Sequence, residues 1–465
     1  MNSVKIYNPR GVIPPIRKFL YGGCYPLIVA AWAFLCFASG LQALGLFALI
    51  AVGGFVLVIS EDVTPVIPPF ACCVLTLTDL SALTTAPYIV VYCLLAACLF
   101  YHFVRFPFKN FYFGKLFFPL FLVSAALFLG GLLSPQGLND YGNGVLTAFS
   151  TGPLILIIYL FFVNGIKPPE NFDLRKFISY VVVTATLFAC LELCLCRVTQ
   201  SDYAFDWERN VGWSNFNTVG AMTVACAPLC LYLAVKTGKS AAMLSVIVFM
   251  LATDILCHCD GCTGILFFSL PFMLAFTFFR LDKKDRTSFI LCVFIIVVAA
   301  CAAGVFALHK TGSENVSAYI SDYIGQALKE NGRSKLYEKA ISLFKSNPVL
   351  GIGLGFCDES VYEPTGSVVN FHSTFFHVIA TMGCLGIVAY AVYIATRIII
   401  LLEGHSAFNA FAFLSFVLFE TYGLIDVCEF NIIPLMEFMT LIVLCTELTN
   451  AKAEDARLPL NRIYP

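Results

Sequence analysis

Runs of about 16 to 21 apolar residues recur from Tyr25 to the end of the chain, each closed by a charged residue, a proline or a glycine. About fourteen such runs lie near 24–39, 41–60, 66–83, 86–104, 115–133, 145–163, 176–196, 216–235, 240–257, 263–280, 287–307, 372–396, 405–424 and 430–448. A helix of this length crosses the roughly 30 Å hydrocarbon core of a bilayer. The pattern therefore predicts an all-α, polytopic integral membrane protein with about 12–14 transmembrane helices, a single transmembrane domain over residues 1–465. The third run, broken by Pro68, Pro69 and Asp79, and the thirteenth are the weakest; without both, twelve remain.

One stretch, 308–371, is long and mostly polar. Within it, from about Ser334 to Lys345, Leu336, Tyr337, Ala340, Ile341, Leu343 and Phe344 recur at helical spacing, opposed by Lys335, Glu338, Lys339 and Lys345. That is the signature of a short amphipathic helix, expected to lie on the membrane surface. Asn347-Pro348 stops it, and "GIGLG" (Gly351, Gly353, Gly355) comes next. With no strand ahead of it, this glycine pattern reads as a tight re-entry turn with close backbone approach rather than a nucleotide loop.

Composition agrees with the membrane setting: 59% of residues are apolar, 12% are charged, and the mean hydropathy is +0.86. Lys and Arg fix the expected orientation, because short cytoplasmic loops are enriched in them. With the N-terminus inside, inner segments carry 20 of the 28 basic residues and outer segments 8, six of those in the long loop. Both termini are therefore expected in the cytoplasm, with the 308–371 loop outside. The first apolar run lacks a small-residue cleavage site and is not expected to be a removed signal. A net charge of −1 without a basic tail argues against nucleic acid as a partner. Of the 20 cysteines, about sixteen fall inside apolar runs, where a lone thiol packs as a small apolar group. "CHCDGC" (Cys257 to Cys262) has metal-like spacing but no second pair to complete a zinc site.

Polar residues that stand out against the apolar background mark candidate chemistry. Three places do so, and the charge count assigns all three to the outer face. The first is "RVTQSDYAFDWERNVGWSNFNTVGA", with Arg209 ahead of the Gly212 turn and Asn215 and Asn217 at a helix start. The second is "NGRSKLYEKAISLFKSNPVLGIGLGF", with Arg333. The third is "FHSTFFHVIATMGCLGIVAY", where His372 opens an apolar run. His377 lies five residues further, roughly 140° around a helix, so the two histidines cannot act as a metal pair on one face. Two arginines can fork onto the oxygens of a diphosphate. A histidine can take the proton of an attacking hydroxyl. Beside an apolar bundle able to hold a polyprenyl chain, these groups would make a transferase whose donor is a lipid diphosphate sugar. The plainer readings are arginines snorkelling to lipid phosphates and a solvated helix-end histidine. The first two outer turns, near Gly40 and Thr84, lack the acidic pair of metal-dependent lipid-sugar transferases; Asp202 with Asp206, or Asp358 with Glu359, are the remaining cation candidates.

These three stretches resemble the O-antigen ligase and O-antigen polymerase superfamily of bacterial envelope enzymes. The likeness is an Arg ahead of an amphipathic helix, an N-P-x-x-G-x-G-x-G turn, a His at the start of a helix with a GxxG step, and an upstream Arg followed by Asn and Gly. It implies an enzyme in the bacterial cytoplasmic membrane, with its active site facing outward. The substrates implied are an undecaprenyl-diphosphate-linked oligosaccharide and an acceptor glycan, among membrane lipids and polysaccharide assembly proteins as partners. No metal, cofactor or nucleotide sugar is implied. Carried over residue by residue, Arg209 and Arg333 would bind the diphosphate, His372 would activate the acceptor hydroxyl, and His377 would be structural. The chain departs from the pattern at "CDGCTG", where Asp260 stands near an arginine common in the family. The motif is shared by ligases and polymerases; diverged loops without a core-binding signature favour polymerisation of capsule, exopolysaccharide or O-antigen repeats.

Two rivals stay open on the sequence. Peptidoglycan glycosyltransferases of elongation and division use an outer-loop Asp where this chain has His372. A polysaccharide or small-molecule transporter would use intramembrane acids, for which Glu192, Asp254, Glu420 and Glu437 are candidates, but no internal repeat is visible. Convergence of Arg209, Arg333 and His372 on one outer cavity would favour the transferase.

Overall fold

The computed structural model describes residues 13–78, 86–108, 110–134, 143–199, 211–311, 333–354, 371–430 and 433–455. These residues form helices and no strand. In chain order the α-helices among them are α1 (Ile13–Leu20), α2 (Cys24–Ala38), α3 (Gln42–Ile59), α4 (Ile67–Cys72), α5 (Ala86–Arg105), α6 (Phe117–Leu129), α7 (Asn143–Thr151), α8 (Pro153–Gly165), α9 (Leu174–Thr199), α10 (Phe216–Thr237), α11 (Ser240–Leu256) and α12 (Asp260–Arg280). They continue with α13 (Lys283–Thr311), α14 (Arg333–Ser346), α15 (Thr374–Leu402), α16 (Ala407–Gly423) and α17 (Ile433–Asp455). Among the described residues, seven helical stretches are long and apolar enough to cross a membrane by themselves, and five shorter apolar ones accompany them. The protein is an all-α polytopic membrane protein.

Each apolar run of the sequence contains a helix, and contacts distant in sequence mark two ends of the bundle. At one end Lys115 pairs with Glu403, Lys167 with Glu61 and Lys236 with Asp173. At the other, Thr78 N–H donates to the Gln42 side chain, Trp213 reaches Glu192, and Gly131 N–H donates to the Leu350 carbonyl. The third run does pass from end to end. Val63 N–H meets the Gly165 carbonyl at the lysine end, and Thr78 lies at the other. Between them Pro65, Pro68 and Pro69 break the passage into α4 and two flanking 3₁₀ turns. Such irregular backbone is tolerated at membrane depth only when protein covers it, and residues 62–69 are all buried.

The centre of the bundle is α10, whose 18-residue apolar window is 94% buried. Gly220, Ala221, Ala225 and Ala227 let α9, α11, α12 and α16 approach its backbone closely. At the periphery, Phe267, Phe268, Phe272 and Phe279 of α12 are exposed, as a lipid-facing surface requires.

One boundary moves. The sequence ends the twelfth run at 396 and leaves Arg397 in an inner loop, but α15 continues to Leu402 and Arg397 is fully buried within the bundle. Five apolar residues separate Arg397 from Glu403, which is the signal that the helix goes on.

Candidate active site

The break in α15 explains the glycines after α14. Helix α15 is interrupted at Gly383, which adopts φ 62° and ψ −150°. A break of this kind leaves helix carbonyls and N–H groups without their usual partners, and in an apolar interior each must find another. The "NPVLGIG" segment supplies them. Cys384 and Leu385 N–H donate to the carbonyls of Pro348 and Val349, while the carbonyls of Ala380 and Thr381 accept from Ile352 and Gly353 N–H. The glycine turn is therefore a plug in a broken helix, which realises the close backbone approach expected of it.

Helix α14 matches the predicted amphipathic segment within a residue or so at each end. Its apolar face packs on protein as well as facing outward: Leu336 and Ala340 are buried with Ile352, Phe371 and Ala380. Tyr337 stacks on Phe376 of α15 at 4.2 Å between ring centroids and donates its hydroxyl to the His372 carbonyl at 3.1 Å. Burial raises the Tyr337 hydroxyl above its ordinary pKa, against the opposing effect of nearby Arg333, so it stays a donor. Arg333, the first residue of α14, lies on the next turn toward the N-terminus, and its guanidinium makes no hydrogen bond or ion pair with a described residue.

His372 sits immediately ahead of Ser373, the N-cap of α15. Its backbone is left-handed, with φ 45°, a conformation that costs a residue bearing a β-carbon about 1–2 kcal/mol. The Tyr337 bond to its carbonyl on one side and the burial of Phe371 and Thr374 on the other hold it there. The strained backbone turns the ring toward the α16–α17 connection, where Nδ1 meets Asp426 Oδ1 at 3.2 Å. The imidazole is 28% exposed and the carboxylate 10%, so the ring is reachable while its partner is shielded. Asp426 is itself held: Val427 N–H and the Tyr422 hydroxyl donate to its carboxylate, and Thr374 N–H donates to its carbonyl. With a proton on Nδ1 facing the carboxylate, Nε2 would be the basic nitrogen of the ring.

His377 is buried one turn into α15 against Phe371, and its ring nitrogens contact no described polar group. Arg209 lies outside the described residues, and so do Asp202, Asp206, Asp358 and Glu359. From Val211 onward the chain is anchored at the same end of the bundle. Gly212 packs on the Thr78 backbone, Trp213 Nε1 donates to Glu192 at 2.9 Å, and Asn215 caps α10 by accepting from Thr218 N–H. The structure thus brings Arg333, Tyr337, His372 and Asp426 together. Cys257, Cys259 and Cys262 are buried, with the Cys259 thiol on the Phe216 carbonyl, and Asp260 opens α12.

Sequence reasoning missed Asp426, which is 54 residues from His372 in a short connection between two apolar runs; the one available signal was an acid at the predicted outer end of a run.

A histidine–carboxylate pair and an arginine-bearing amphipathic helix thus lie together at one end of a polytopic bundle of apolar helices. Residues 247–391, from within α11 to beyond the Gly383 break in α15, match the family described as O-antigen ligase. The match includes Arg333 and His372 and stops short of Asp426. No curated protein matches the chain. This match supports the O-antigen ligase and polymerase superfamily and, with it, glycosyl transfer of the ligase or polymerase type.

The Tyr337 contact is testable. Tyr337→Phe keeps the stack on Phe376 and removes one hydrogen bond, a net effect of about 1 kcal/mol. The expected result is a several-fold lower transfer rate with an unchanged melting temperature in detergent. An unaltered rate would mean that the bond does not help hold His372.

Proposed function

We propose that the protein moves a glycan from an undecaprenyl-diphosphate-linked donor to an acceptor hydroxyl at the outer face of the cytoplasmic membrane, most readily as a polymerase of surface polysaccharide repeats. Both termini lie in the cytoplasm in this reading. The observation that carries it is His372, exposed at one end of the bundle with Nδ1 on the shielded carboxylate of Asp426. The acceptor hydroxyl gives its proton to His372 Nε2 as its oxygen bonds to the anomeric carbon of the donor. The bond from that carbon to the diphosphate breaks, and its electron pair leaves with the lipid diphosphate. Asp426 stabilises the imidazolium formed, and Arg333 with Arg209 holds the diphosphate and offsets its growing charge. A single displacement inverts the anomeric centre. No metal ion takes part in this reading.

Purified protein in detergent, with a chelator present, is incubated with a lipid diphosphate oligosaccharide from its host, and the products are separated on a gel. A ladder of repeat lengths is the polymerase result. One transfer product, formed only when a second acceptor is supplied, is the ligase result. No product from any host glycan would defeat the reading and favour a transporter.

Arg333→Lys keeps the charge but loses the planar fork. Its kcat/KM for the donor is expected to fall about tenfold, or about 1.4 kcal/mol of transition-state stabilisation. Wild-type kinetics in this variant would remove Arg333 from the diphosphate site.

A further inference from the structure

The segment that presents Asp426 to His372 has no regular structure of its own. Residues 426–430 are all buried, between the end of α16 and the start of α17. Its backbone is held piecemeal: Cys428 N–H donates to the Thr374 hydroxyl, and Phe430, with φ 65°, donates its N–H to Met436 Sδ. Glu429, three residues beyond Asp426, turns inward to a different set of partners.

Those partners converge on Arg397. Its side chain is 0% exposed, and Nη2 lies 2.7 Å from Glu429 Oε1 and 2.6 Å from Glu420 Oε1. The guanidinium lies over the Tyr393 ring at 4.1 Å and the Phe416 ring at 4.9 Å. The Tyr390 hydroxyl donates to the other oxygen of Glu420 at 2.7 Å, and the Phe430 ring packs edge-on against Tyr390. One guanidinium therefore ties together α15, α16 and the segment carrying Asp426. Stability alone gives little reason for such a cluster, because well-packed apolar side chains in place of a buried ion group are often as stable or more so. What such a group does supply is a penalty for displacement: moving Glu429 away from Arg397 would leave buried charge uncompensated in an apolar interior.

We infer that Arg397 is a positioning residue for glycan transfer, which acts through Glu429 to fix the 426–430 segment and so the placement of Asp426 against the His372 ring. This rests on the proposed role of His372 as the base. Neither Arg397 nor Glu429 touches His372; their effect passes through Asp426.

A double-mutant cycle tests this path, since residues acting through one another give non-additive losses and independent ones give additive losses in free energy. Glu429→Gln, Asp426→Asn and the double variant are assayed for transfer, with thermal unfolding and size exclusion in detergent as folding controls. Glu429→Gln is expected to lower kcat about tenfold with the donor KM within about twofold. In the Asp426→Asn background it is expected to lower kcat no further. Should Glu429→Gln not fold, Arg397→Lys, which keeps the buried charge, enters the same cycle with the same expectation. Losses that multiply, or a Glu429→Gln enzyme at the wild-type rate, overturn the positioning role. A His372→Ala protein as active as wild type would overturn the base assignment itself; an inactive one with multiplying losses would overturn only the inference about Arg397.

Discussion

His372→Ala is expected to lower glycan transfer by about 10²–10⁴-fold, the usual contribution of a positioned general base. The protein should stay folded in the membrane, because the imidazole is partly exposed and the Asp426 carboxylate beside it keeps Val427 N–H and Tyr422 as donors. Removing the ring also relieves no essential packing: the buried neighbours Phe371 and Thr374 keep their places, and the Tyr337 bond goes to the backbone carbonyl. The check is a gel assay of transfer beside a melting curve. A large loss of rate at constant melting temperature fits a base in contact with substrate. A parallel fall in both would make His372 a structural residue, and an unchanged rate would exclude it from the chemistry. His377→Ala should behave in the opposite way, disturbing packing with its effect on transfer following from that.

Gly351→Val is expected to be the most damaging single change to the fold outside the helices. Gly351 has φ 64°, and a β-carbon there would overlap the Thr381 carbonyl and the Met382 nitrogen. Its counterpart Gly383, with φ 62°, would place a β-carbon 2.7 Å from the Gly351 nitrogen and the Pro348 carbonyl oxygen. Two backbones therefore meet with no room for a side chain on either. Valine combines an unfavourable dihedral with this overlap, each costing on the order of 1–3 kcal/mol. It would also pull the plug from the break in α15, leaving the amides of Cys384 and Leu385 without acceptors in an apolar interior. Monodisperse yield and melting temperature are the measurements, and both should fall sharply along with activity. A Gly351→Val protein that purifies with the wild-type melting temperature would mean the plug does not hold the helix. The two variants contrast: His372→Ala separates activity from folding, whereas Gly351→Val should lose the two together.

The helical, membrane-spanning character of the chain was legible from its apolar runs alone, because a continuous apolar run of about 20 residues fits a bilayer-spanning helix, whereas the strands of a spanning β-barrel are about ten residues long and alternate in polarity. Local chemistry was also legible where it is written in adjacent residues. The amphipathic spacing from Ser334 to Lys345 became α14, Asn347-Pro348 ended it, and the glycines after it do allow a close approach of two backbones. His372 at a helix mouth and Arg333 at the head of α14 could be singled out because each interrupts a local pattern.

Partners distant in the chain were beyond the reach of that reasoning. Asp426 looked like an acid in a short connection, Glu420 like an acid in an apolar run, and Arg397 like a basic residue in an inner loop. Only packing carries Asp426 to His372, buries Arg397 between Glu420 and Glu429, and seats the glycine turn in the break of α15. The physical reason is that hydrophobic periodicity records how each segment meets the bilayer, a solvent that is the same everywhere along the chain. Which helix faces which is decided by side-chain fit and by pairing every buried polar group, and those constraints bind residues far apart in sequence.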